Sequence, residues 1–127
     1  MKKKALLVVI AAGVLSGAWY TGRVWPVFTT DNSGAEKVVL LHGLGRNEQA
    51  MWLLESTLLD AGYDVYNISY PSRHEPPDVL LDMVSADING CCNGPEKAVH
   101  FVGHSLGGLL ARDYLAHYSP ENLGRVI

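Results

Sequence analysis

The sequence predicts an α/β fold: an incomplete parallel sheet with flanking helices, preceded by an N-terminal hydrophobic helix. Three observations predict it. From Val38 onward, short apolar runs alternate with longer segments of helical periodicity. The runs Val38-Val39-Leu40-Leu41 and Val99-His100-Phe101-Val102 are nearly continuous in apolar residues, as strands buried on both faces are. Between the second run and the helix formers behind it lies Gly103-His104-Ser105-Leu106-Gly107, a Gly-x-Ser-x-Gly pentapeptide on a strand-to-helix junction.

Bulk properties narrow the classes. A chain of 127 residues holds one modest domain. A formal net charge of −3 argues against a nucleic-acid partner, which would need a basic face. Cys91 and Cys92 are neighbours, so they make neither a disulfide framework nor a spaced zinc site. They read as two free thiols at a helix end, one packed inward, because a bond between adjacent residues is strained. No metal and no cofactor is expected, since no spaced set of Cys and His is present. The loop His42-Gly43-Leu44-Gly45-Arg46 has glycines after a strand but neither the ending of a nucleotide loop nor the third glycine of a dinucleotide fingerprint.

The elements follow in order. Residues 1–20 combine Lys2-Lys3-Lys4 with an apolar run from Ala5 to Tyr20, which reads as a signal peptide or a membrane anchor. The run is about 16 residues, short of the roughly 20 that span a bilayer comfortably. Ser16-Gly17-Ala18 suits cleavage, whereas Trp19, Tyr20 and Trp25 suit an aromatic belt and retention. In both cases the lysines stay cytoplasmic, and the rest faces outward, anchored or secreted. Residues 21–36 are a linker, broken by Pro26 and the turn residues Asp31-Asn32-Ser33-Gly34. The domain portion occupies 37–127.

Within it, Asn47 is expected to cap a helix reaching Ala61, with Met51, Leu54, Leu58 and Ala61 as its buried stripe. Trp52 and Leu53 should widen that stripe, and Gly62 should end it. Tyr63 to Ser69 reads as a strand, and Tyr70 to Pro77 as a rigid loop at its carboxyl end. A second helix from Asp78 to about Asn89 should bury Val79, Leu80, Met83, Val84 and Ile88. The helix behind Ser105 should run to about His117, where Ser119-Pro120 stops it.

The pentapeptide carries the chemistry. A serine on a sharp strand-to-helix turn exposes its hydroxyl, and glycines two residues to either side leave room for the crossing chain. The helix behind it aims free N–H groups and a positive dipole end at the reacting centre. Together with the His42-Gly43 turn after the first strand, this segment resembles the α/β-hydrolase superfamily, most closely its small bacterial lipases and esterases. The resemblance spans Val38 to the end of the chain. It implies Ser105 as nucleophile and the backbone N–H groups of Leu44 and Leu106 as the oxyanion hole. It also implies structural roles for His42, Gly43, Gly103, His104 and Gly107 in the elbow and its facing loop. The implied reaction is hydrolysis of a small-molecule ester or lipid, and acyl transfer or thioester cleavage would use the same residues.

A serine needs a base, usually a histidine oriented by a carboxylate. His117 lies twelve residues along the helix, about 18 Å away at about 1.5 Å per residue. His100 reads as a packed or hydrogen-bonded core residue, and His104 as a non-reacting occupant of the elbow. His42 shapes the oxyanion turn, and His74 on the rim lacks a carboxylate to orient it. The family order places the acid and the histidine after the serine. Little chain follows Ser105, so both are expected beyond Ile127, and the 127 residues alone are expected to be inactive. The rival expectation is a non-catalytic, truncated or degenerate relative of the fold.

Overall fold

Valine and leucine in unbroken series favour strands, because branched side chains pack well on a pleated surface buried on both sides. That is how the sheet is built. The computed structural model describes residues 34–127 except Glu96. The N-terminal hydrophobic helix and most of the linker lie outside the described residues, among which no helix is long and apolar enough to cross a membrane.

The strands are β1 (Lys37–Leu41), β2 (Asp64–Ile68), β3 (Val99–Gly103) and β4 (Leu123–Val126). They form a four-stranded sheet in the order β2-β1-β3-β4. Every pairing is parallel. The helices between them are α1 (Trp52–Asp60), α2 (Pro77–Cys92) and α3 (Leu106–Tyr118).

Alternation along β1 divides the core in two. Val39 and Leu41 join Ile68, Val99 and Phe101 beneath α2 and α3, with Leu80, Val84, Ile88, Leu110 and Tyr114 packed onto them. Val38 and Leu40 point the other way, toward Met51, with Leu54 and Leu58 of α1 laid over them. Tyr114 Oη donates a 3.0 Å hydrogen bond to Asn89 Oδ1, tying α3 to α2.

Several sequence expectations are corrected. The first helix is not continuous from Asn47: a 3-10 turn, Glu48–Met51, precedes α1, and Asn47 makes no side-chain cap. Trp52 and Leu53 are 63% and 65% exposed and do not widen the buried stripe. At about 100° per residue they lie on the far side of the helix from Met51, Leu54 and Leu58. Ala61 is likewise exposed, although Gly62 takes the left-handed conformation that ends such a helix, with φ 92°.

The helix α2 buries Leu80, Val84, Ile88 and Cys92, a four-residue spacing that leaves Val79 and Met83 exposed. It also runs three residues past Asn89, through Gly90. Lys37 Nζ donates a 2.6 Å hydrogen bond to the Cys91 carbonyl, satisfying one of the orphan acceptors at the helix end with a cation. Cys91 and Cys92 are not free thiols but are joined in a disulfide between neighbours. The last strand, β4, is exposed along its length.

Candidate active site

Register decides where the loops meet. Leu41 pairs with Ile68 on one side and with Gly103 on the other, so three strands end level at one edge. The segments His42 to Asn47, Ser69 to His74 and His104 to Ser105 therefore leave the sheet together. In open parallel sheets, this carboxyl edge is where ligands bind.

The elbow is strained. Ser105 has φ 55° and ψ −116°, a conformation that L-residues rarely adopt and that costs on the order of 1–3 kcal/mol. Surrounding hydrogen bonds hold it there. Gly107 N–H donates to the His104 carbonyl at 3.0 Å, Gly108 N–H to the Ser105 carbonyl at 2.9 Å, and His104 N–H to the Leu41 carbonyl at 3.0 Å. Glycine is required on both sides. A Cβ on Gly103 would lie 2.5 Å from Gly108 Cα, and one on Gly107 would overlap the Leu41 carbonyl. The Ser105 side chain is exposed, and no described residue hydrogen-bonds its hydroxyl.

The facing loop is pinned from β2. His42 is fully buried, with its ring stacked on Tyr70 at 3.9 Å between centroids. Tyr70 N–H donates to His42 Nε2 at 3.4 Å, which puts the ring proton on Nδ1, directed at the Gly43 carbonyl 3.1 Å away. Both ring nitrogens are thus engaged, and His42 is unavailable as a base. Tyr70 Oη donates to the His42 carbonyl. Burial pushes the Tyr70 phenol well above its usual range, so it remains a donor.

Gly45 N–H donates to Ser72 Oγ at 2.9 Å, and Arg46 N–H to the Gly43 carbonyl at 3.1 Å. The Leu44 and Leu106 N–H groups donate to no acceptor among the described residues. Leu44 and Leu106 are therefore on the two segments that meet at this edge, each with its N–H unspent. Ser69 Oγ donates to Glu48 Oε2 at 2.6 Å, and Asn67 Nδ2 to the Glu48 carbonyl at 2.9 Å, so β2 also anchors the far end of the loop. The sequence places the loop from Tyr70 at the carboxyl end of its strand, but not the hydrogen bonds by which Tyr70 and Ser72 hold the facing loop. The only signal was a Tyr-Pro-Ser turn directly after a strand.

The remaining histidines are accounted for. His100 Nε2 lies 3.1 Å from Glu36 Oε2, and Arg125 N–H donates to His100 Nδ1 at 2.9 Å. His117 pairs with Asp113 on α3. His74 is exposed on the loop after β2. The His104 ring lies against Gly43, where an added Cβ would come within 2.8 Å of Nδ1. His104 and Gly43 border an open cleft of about 580 Å³ that Met51, Leu54 and Val102 line with apolar surface. Among the described residues, no group of His, Cys, Asp or Glu could hold a metal ion.

Comparison with known proteins agrees with this fold. A solved extracellular α/β-hydrolase from a Paenibacillus species superposes with a TM-score of 0.61 at 20% identity. That protein is described as sharing structural and functional homology with tobacco salicylic acid binding protein 2. The alignment covers 72% of this chain and 38% of that one, so the chain spans well under half of its length. No curated protein matches the chain. The sequence model of the alpha/beta hydrolase family matches residues 38–127, from the first strand through the elbow to β4. With that match over most of its length and the parallel sheet to go with it, the chain belongs to the α/β hydrolase family.

Proposed function

We propose that this chain is the nucleophile-bearing portion of a serine hydrolase that cleaves carboxylic esters through a Ser105 acyl-enzyme. One observation carries the reading. Ser105 is held at φ 55° between a strand and a helix, with its hydroxyl exposed and unpaired. Strain of this kind persists where the surrounding structure over-determines it, as at reactive centres.

In the proposed reaction, Ser105 Oγ attacks the ester carbonyl and passes its proton to a base. Charge then collects on the former carbonyl oxygen, where the N–H groups of Leu44 and Leu106 receive it. Each such donor is worth about 3 kcal/mol in the barrier. The alkoxide leaves with the proton, and water releases the acid from the enzyme. None of the five histidines is hydrogen-bonded to Ser105, and the chain aligns with only 38% of the similar hydrolase, so we propose that the base and its carboxylate lie in a longer protein carrying these residues. The apolar wall of the cleft beside His104 suits an acyl chain or a lipid. The N-terminal lysines and apolar run support an outward-facing location, anchored or secreted. The extracellular description of the similar Paenibacillus hydrolase is consistent with it.

The test has two parts. The 127 residues alone should hydrolyse p-nitrophenyl butyrate at background rate, and robust turnover would refute the location assigned to the base. In the longer protein a fluorophosphonate should label Ser105, and Ser105→Ala should abolish both labelling and hydrolysis. An active enzyme that keeps its activity after Ser105→Ala would refute the nucleophile.

A further inference from the structure

We infer that Ser72 and Tyr70 are positioning residues: together they set the conformation of the His42–Arg46 loop and with it the direction of the Leu44 N–H. The inference rests on the proposed hydrolase reading for its functional meaning, but its geometry stands apart from it.

Ser72 is only 5% exposed, yet its hydroxyl spans two successive residues of the opposite loop. It accepts from Gly45 N–H at 2.9 Å and donates to the Arg46 carbonyl at 3.4 Å. A hydroxyl has one donor and two acceptor sites, and here the donor and one acceptor go to the same short stretch of backbone. That fixes the Leu44–Gly45 and Arg46–Asn47 peptide planes, and between them Gly45 has a φ of 69°, in the left-handed region that favours glycine. The space a Cβ would occupy there is taken by the Arg73 side chain.

Tyr70 does the same one turn earlier. Its ring stacks on His42, its N–H reaches His42 Nε2, and its hydroxyl donates to the His42 carbonyl. Leu44 thus lies between two clamped points, His42 and Gly45, and its own N–H is left without an acceptor among the described residues. Ser72 itself is anchored by its N–H donating to the Tyr70 carbonyl at 2.9 Å. The clamp is therefore one Tyr-Pro-Ser unit acting on one His-Gly-Leu-Gly unit. Donors for a developing oxyanion act only when aimed where the charge forms, and misplacement by about 1 Å can cost about a hundredfold in rate.

The experiment compares Ser72→Ala with the unaltered protein in two readouts. The first is amide hydrogen exchange of the 127-residue chain. Gly45 should exchange about tenfold faster or more in the variant, while Val39 and Phe101 in the sheet keep their protection. The second is p-nitrophenyl butyrate hydrolysis by the longer protein. There kcat should fall about ten- to a hundredfold with KM within about twofold. Unchanged exchange at Gly45, or unchanged kcat, overturns the inference. If Ser72→Ala does not fold, Tyr70→Phe carries the test, removing only the O–H donated to His42. It should speed exchange at Arg46, whose N–H donates to the Gly43 carbonyl, without loosening Phe101, and equal loosening of both overturns the inference. Should the unaltered longer protein show no esterase activity while Gly45 still responds to Ser72→Ala, the ester reading fails and the clamp stands.

Discussion

At the scale of single residues, the elbow depends on hydrogen atoms standing where other residues carry a Cβ. Gly107 faces the Leu41 carbonyl, a backbone atom of the central strand that cannot swing aside. Gly107→Ala should therefore destabilise the chain by about 3 kcal/mol or more, read as a lower midpoint in urea unfolding. Gly108→Ala is the control, since a Cβ there meets its nearest atom, the Gly103 carbonyl oxygen, at an ordinary 3.5 Å. Equal cost for the two would refute this account of the spacing. These constraints were legible in the sequence because they are local: five consecutive residue types encode the turn. The Tyr70 and Ser72 clamp was not legible, because its partners lie 27 and 28 positions away in the chain. Only the level strand ends bring them together.

Individual elements are set by neighbours as much as by their own periodicity. The expected stripe of the first helix fails at Trp52 and Leu53, which are apolar but exposed. Hydrophobic residues on a surface are ordinary, and the angular position on the helix decides. The end of α2 likewise lies beyond the expected Asn89, where Lys37, distant in sequence, donates to the carbonyl of Cys91. The 3-10 turn before α1 begins with Glu48, whose carboxyl is held below its ordinary 4.5 first by the Ser69 hydroxyl and then by its own backbone N–H. A depressed carboxyl stabilises the fold above its unfolded value, and that support is lost as pH falls through the folded value. Ser69→Ala should raise the Glu48 midpoint toward 4.5, followed by its side-chain carboxyl carbon in an NMR titration. No movement of that midpoint would show that the hydroxyl is not the cause.

For the molecule as a whole, the two faces of the sheet are unequal, and the site depends on the heavier one. Beneath α2 and α3 the packing is continuous from Ile68 through Phe101 to Tyr114, whereas beneath α1 only Val38, Leu40 and Met51 are buried. The parallel order was legible from the alternation of runs, but this imbalance was not, because it depends on which helix residues reach the sheet. Phe101 is fully buried two positions before Gly103, and its ring lies 5.8 Å from that of Tyr114 on the elbow helix. Phe101→Ala should cost about 3–5 kcal/mol, a large part of the 5–15 kcal/mol that typically holds a domain together. Met51→Ala, on the lighter face at 9% exposure, should cost about 2 kcal/mol, the low end for such truncations. Urea unfolding of both variants checks the difference. If Met51→Ala proves as damaging as Phe101→Ala, the strained serine is supported from both sides of the sheet. The unequal result would instead make the contact between β3 and α3 the frame that keeps Ser105 in its unfavourable conformation.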